Sequence, residues 1–184
     1  MKYILILFLV LFLISSCDNA KKYKTEISEI DSQQLKLDSL ESVINGINID
    51  SLVFMQKEAD DNELIIKRYY FADTINMTFA NKLDKNKGVR KSLDGIESQK
   101  ESILNELNEI KVQFINLKSD VLGGLYDSKQ INNYLNVERL DVDQLTLNIK
   151  GFNLNQLKQK KNFYFSNPQI SEYCKLLLNT IEKK

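Results

Sequence analysis

From Leu93 to Val121, apolar residues return at alternating intervals of three and four: Leu93, Ile96, Ile103, Leu107, Ile110, Phe114, Leu117 and Val121, with Lys100 the one polar member. That spacing puts all of them on one helical seam. Glu101, Glu106, Glu109 and Lys111 fall off the seam and make the outer surface polar. A helix over 90–122 would be about 50 Å long, with Gly123-Gly124 as its stop. The same rhythm runs earlier through Ile27, Ile30, Gln34, Leu37, Leu40, Ile44 and Ile47. Asn45-Gly46 offers a left-handed stop and Asp50 a cap for the next helix, so the pattern predicts a helical hairpin across 46–50. A single helix bent at Gly46 is the rival.

Between Ser51 and Leu83 the apolar positions Leu52, Met55, Ala59, Ile65, Ile66, Tyr69, Ile75 and Phe79 keep a looser phase, and Asp84-Lys85-Asn86-Lys87-Gly88 reads as a turn. The turn superficially resembles a calcium loop, but its glycine comes one position early and Gly95 stands where the closing glutamate belongs, so no calcium is assigned. Beyond Tyr126 two apolar lines run together. Ile131, Leu135, Val142, Leu145, Ile149 and Phe152 form one, and Leu140, Leu147 and Leu154 the other. So wide an arc predicts contact with more than one neighbour. The stretch QLTLNIK, 144–150, also alternates as a strand does, but a lone strand has no partner and helix is preferred. Asn167-Pro168 reads as a cap with proline in the first turn of a closing helix over 168–182, striped by Ile170, Cys174, Leu177 and Ile181.

Short turns between long helices force neighbours to run antiparallel. The predicted fold is therefore all-α, an elongated antiparallel helical bundle occupying 25–184 as a single domain. One proline and six glycines in 184 residues agree with long uninterrupted helices.

The first residues follow a different logic. Lys2 precedes an apolar run from Tyr3 to Ile14, followed by Ser15, Ser16 and Cys17. A dozen helical residues reach about 18 Å, short of the roughly 30 Å hydrocarbon layer. Charge, short apolar core and small residues are instead the parts of a secretory signal. Ile14-Ser15-Ser16-Cys17 resembles the end of a bacterial lipoprotein signal peptide at every position. The resemblance covers about a tenth of the chain. It implies that 1–16 is cleaved, that Cys17 takes a diacylglyceryl group on sulfur and becomes the acylated first residue, and that 17–24 is a tether. The protein would then sit in the bacterial cell envelope, partnered with the lipid bilayer. Two or more acyl chains hold stably where one does not. Lys21, Lys22 and Lys24 would lie near the headgroups.

Loss of 1–16 leaves 24 basic against 25 acidic side chains, too balanced for nucleic acid, which needs a concentrated basic face. The chain has no histidine. That excludes Ser-His-Asp and Cys-His catalysis, histidine zinc sites and Glu-x-x-His di-iron sites. No cofactor is expected. With Cys17 acylated, Cys174 has no intrachain partner, and its place in an apolar stripe predicts a small buried hydrophobe. Asp60-Asp61-Glu63 and Asp141/Asp143 read as solvated helix surface.

Two aromatic runs, Arg68-Tyr69-Tyr70-Phe71 and Asn162-Phe163-Tyr164-Phe165, cannot turn every ring into one core. Tyr69, Tyr70 and Phe163 are accordingly candidate partner contacts. Asp38-Ser39-Leu40, Asp50-Ser51-Leu52 and Asp73-Thr74-Ile75 resemble the Asp-Ser/Thr-aliphatic acceptor of a bacterial O-glycosylation system, which marks Ser39, Ser51 and Thr74. Asn76-Met77-Thr78 matches the N-linked pattern. The functional expectation is a non-enzymatic lipoprotein serving as a binding, spacer or assembly module, with a protein partner or self-association. An inhibitor or immunity-type lipoprotein that blocks an envelope enzyme or toxin is the alternative.

Overall fold

The computed structural model describes residues 19–182 other than 73 and 75. The signal segment, Cys17 and Asp73 lie outside the described residues. The chain is an all-α helical bundle built from α1 (Lys24–Asn45), α2 (Ile49–Tyr69), α3 (Met77–Ser92), α4 (Ile96–Gly123) and α5 (Ser128–Glu182), with no strand among the described residues. Residues 140–152, where strand alternation competed, are helical.

The packing falls into two compact units. The first joins the described residues up to Asn45 to Ser102–Ile149; the second joins Gly46–Glu101 to the chain from Lys150 onward. In the first unit Ile30 and Leu37 of α1, Leu107, Phe114 and Val121 of α4, and Ile131, Val142 and Leu145 of α5 are fully buried in one core. These are the seam positions of the heptad pattern, and burying them supplies the unit's stability. Lys111 of α4 bridges Asp38 and Glu41 of α1, and Lys118 reaches Asp31. As the α4 numbers rise the α1 numbers fall, so the two helices are antiparallel. Tyr23 pairs with Tyr126 and Lys36 with Asp143, which sets α5 parallel to α1.

In the second unit α2 packs antiparallel on α3, and α5 runs antiparallel to α3, with Asn155 on Ser92 and Lys82 over the Phe165 ring. Ile66, Phe79, Ile170 and Cys174 form a buried cluster there.

The helix break expected across 46–50 is present, but it opens no hairpin, since α1 and α2 each run parallel to the part of α5 on which they pack. Asn48 rather than Asp50 caps α2, its side chain accepting from the Ser51 N–H at 2.9 Å. Gly46 is not left-handed; Gly95 (φ 67°) and Gly124 (φ 72°) are. The turn expected at 84–88 is absent, because those residues lie inside α3. Asn86 is drawn into the helix interface, where its Nδ2 donates to the Ala59 carbonyl at 2.8 Å, and Val89 and Leu93 are buried behind it. Burial overrides the local turn preference, and the helix runs on to Ser92, with the left-handed Gly95 standing before α4. Lys100, the polar member of the seam, donates to the Ile47 carbonyl at 3.1 Å.

The largest departure is the closing helix. Pro168 does not open it but sits inside the 55-residue α5. The carbonyl four residues back belongs to Tyr164, and both residues are exposed, on the solvent side of the helix. Asn167, expected as a cap, instead accepts from Asn62 Nδ2 at 2.8 Å. The second apolar line is also turned outward: Leu140, Leu147 and Leu154 are 57–65 % exposed, while the first line is buried.

Candidate functional site

Two places collect the residues singled out by sequence. The first is the end of the first unit that adjoins Cys17 in the chain. Residues 19–22 are helical and Tyr23 is 3 % exposed, so the stretch expected as tether is packed structure from Asn19 onward. Asn19 Nδ2 donates to the Leu122 carbonyl at 3.1 Å, at the close of α4. Gly124 follows in a left-handed conformation that suits glycine. A Cβ there would lie 2.7 Å from Asn19 Nδ2, so any other residue would push that amide away from the Leu122 carbonyl.

Tyr23 Oη donates to the Tyr126 carbonyl at 3.2 Å, and the Tyr126 ring lies 4.9 Å from that of Tyr134. Burial, reinforced by the Asp120 carboxylate, raises the Tyr126 phenol above its ordinary value. Asp127 and Gln130 exchange side-chain and backbone hydrogen bonds at 2.8 and 3.0 Å, a reciprocal cap that starts α5. Lys21, Lys22 and Lys24 are exposed, as is Leu125. Lys22 Nζ stands 4.7 Å above the Tyr23 ring, and its hydrogen bond to that tyrosine raises its pKa.

The second place is the aromatic end of the second unit. Tyr70, Phe79 and Tyr173 form a triangle with ring separations of 5.7, 5.6 and 5.1 Å. Tyr70 is thus half-buried and committed to packing, and Tyr69 is half-buried with the Arg68 guanidinium 5.9 Å from its ring. Phe71 projects at 88 % exposure. Phe163 is buried at 5 %, so the rings its segment offers to solvent are Tyr164 and Phe165. Sequence alone lacked the α5 phase that distinguishes the three, because the buried stripe passes there through polar Gln156, Gln159 and Ser166.

Between α2 and α3 an open cavity of about 330 Å³ is lined by Glu63, Ile66, Leu83, Asn86 and Lys87. Burial pushes the Glu63 carboxyl up, but hydrogen bonds from Lys67 and Arg90 outweigh it and hold the group below its ordinary range. Those contacts, at 2.6 Å each, occupy both carboxylate oxygens. Asp60 and Glu63 share Arg90, whereas Asp141 and Asp143 belong to the other unit, and among the described residues no group of three or more acidic or cysteine ligands could hold a metal.

Ser39 and Thr74 are exposed, on α1 and in the irregular segment before α3 respectively, while Ser51 is half-buried in the first turn of α2. Asn76 caps α3 by accepting from the Phe79 N–H at 3.0 Å. Cys174 is buried beside the Asn62 carbonyl, and desolvation raises its thiol to about 11. None of the protein-family models, curated proteins or solved structures compared with the chain matches it.

Proposed function

We propose that this is a bacterial envelope lipoprotein: Cys17 carries the lipid, residues 1–16 are removed, and the helical bundle works as a non-enzymatic binding or assembly module held at the membrane. The carrying observation is Ile14-Ser15-Ser16-Cys17, placed directly after a short apolar run and two residues before the packed Asn19. No helix among the described residues is long and apolar enough to cross a membrane. A lipid on Cys17 supplies the attachment such helices lack.

Recognition falls to rings the packing leaves outside. Tyr164 and Phe165 stand on α5 beside Lys161, and Phe71 extends from the end of α2. Aromatic side chains of this kind bury large area at little conformational cost when a partner covers them. Tethering concentrates the module where its partner resides, and no covalent chemistry is required of it.

The test is metabolic. Cells fed labelled palmitate should incorporate label into the wild-type chain, and Cys17→Ser should lose both the label and signal processing. A Cys17→Ser chain that is still processed and still labelled would refute the anchor. Photocrosslinking from position 164 or 165 in the native envelope then identifies the partner.

A further inference from the structure

The geometry points to a second membrane contact in the first unit: the turn between α4 and α5, led by Leu125, rests in the headgroup layer beside the acylated amino terminus. The inference depends on the proposed lipid at Cys17 and adds an orientation to it.

Only Asp18 separates Cys17 from Asn19. Two trans peptide links span at most about 7 Å. Asn19 is not free to swing, because its amide is bonded to the Leu122 carbonyl at 3.1 Å and sits against Gly124. Leu125 is the next residue, so it lies within roughly 20 Å of the lipid-bearing Cα however the intervening links turn. Tyr23, buried and bonded to the Tyr126 carbonyl, fixes the same turn from its other side. Asn19, Tyr23 and the turn are therefore held together.

Leu125 is 68 % exposed at the tip of this turn, with its N–H bonded back to the Asp120 carbonyl. An apolar side chain held outward next to a lipid anchor gains by entering the interface, which removes its surface from water. Charge contributes little. Lys21, Lys22, Lys24 and Lys129 are offset by Asp18, Glu26, Asp120 and Asp127 in the same two segments. The surface is thus fitted to a bilayer of any headgroup charge, and the contact should form on neutral lipid.

The test uses the full chain, processed in a lipoprotein-making host and reconstituted into phosphatidylcholine vesicles. An environment-sensitive fluorophore is placed by thiol chemistry on Leu125→Cys or, as control, on Leu35→Cys, another exposed site, about 16 Å farther along α1 than Lys24. Cys174 is buried and its thiol is pushed up to about 11, so labelling is confined to the new cysteine. The label at 125 should shift to the blue and lose at least half its emission to a quencher carried near the headgroups. The label at 35 should keep its emission. Equal, unquenched emission at both positions in protein whose intact mass includes the lipid overturns the contact and leaves the anchor standing. An intact mass lacking the lipid overturns both.

Discussion

Glu138 on α5 is half-buried, and its Oε2 meets no hydrogen-bond donor. Gln33 Oε1 on α1 is likewise buried without a donor. Desolvation, aided by Asp141, raises the Glu138 pKa. Because the folded value exceeds the unfolded one, the folded state holds the proton more tightly. Its stabilising contribution is complete below the unfolded value of 4.5 and is lost as pH rises through the folded value. Glu138→Gln removes the charge while keeping the shape. Urea unfolding at pH 7 should show it more stable than wild type by about 1 kcal/mol, with the gap closing toward pH 4. A gap independent of pH would show that folding leaves the Glu138 pKa unchanged.

At the scale of elements, glycine makes opposite demands at two places. Gly151 lies in the middle of α5 with nothing within 4 Å of where a Cβ would stand, and its φ is not positive. Gly151→Ala should therefore stabilise by about 0.5–1 kcal/mol, through helix propensity and a less free unfolded chain. Gly124→Ala meets both a positive φ and the Asn19 amide at 2.7 Å, and should cost about 1–3 kcal/mol. Thermal melts of the two variants should move in opposite directions; a shared sign would place the end of α4 elsewhere.

These positions also show what periodicity conveys. The α4 seam and the first buried line of α5 were legible, since all but one of the seam positions are apolar and the α5 line keeps one helical face. What could not be read was set by tertiary contact. Asn86 looks like turn chemistry until α2 supplies the Ala59 carbonyl that it bonds. Asn167-Pro168 looks like a helix start until one sees the stripe continuing through Gln156, Gln159 and Ser166, polar residues whose side chains hydrogen-bond along α5 itself. Polar residues in a buried stripe hide the period. Among the candidate contacts Phe163 is buried and the outward rings of its segment are its two neighbours, a difference set by a helical phase the polar stripe obscured. Asn19 and Leu125 carried no signal in sequence, because their proximity arises only when α1 and the α4–α5 turn are packed together.

For the molecule as a whole, the balance of charge determines what can hold it to a membrane. The processed chain would carry 24 basic and 25 acidic side chains, so neither sign dominates. Long-range attraction to an anionic surface is weak for such a chain, and at 1 M salt the Debye length shrinks to about 3 Å. On the proposed anchor the acyl chains would supply nearly all of the retention, at about 0.8 kcal/mol per buried methylene. Membranes washed with 1 M sodium chloride should keep the wild-type protein, and detergent should release it. Protein from Cys17→Ser cells, whose signal is not removed on this reading, should carry no palmitate, and its residual attachment should rest on the uncleaved apolar run alone. Joining an ordinary cleavable secretion signal to Asp18 removes that run as well and should move the bundle entirely to the soluble fraction. If that last chain stays with the membrane through the salt wash, the bundle itself binds there, and the lipid is not what localises it.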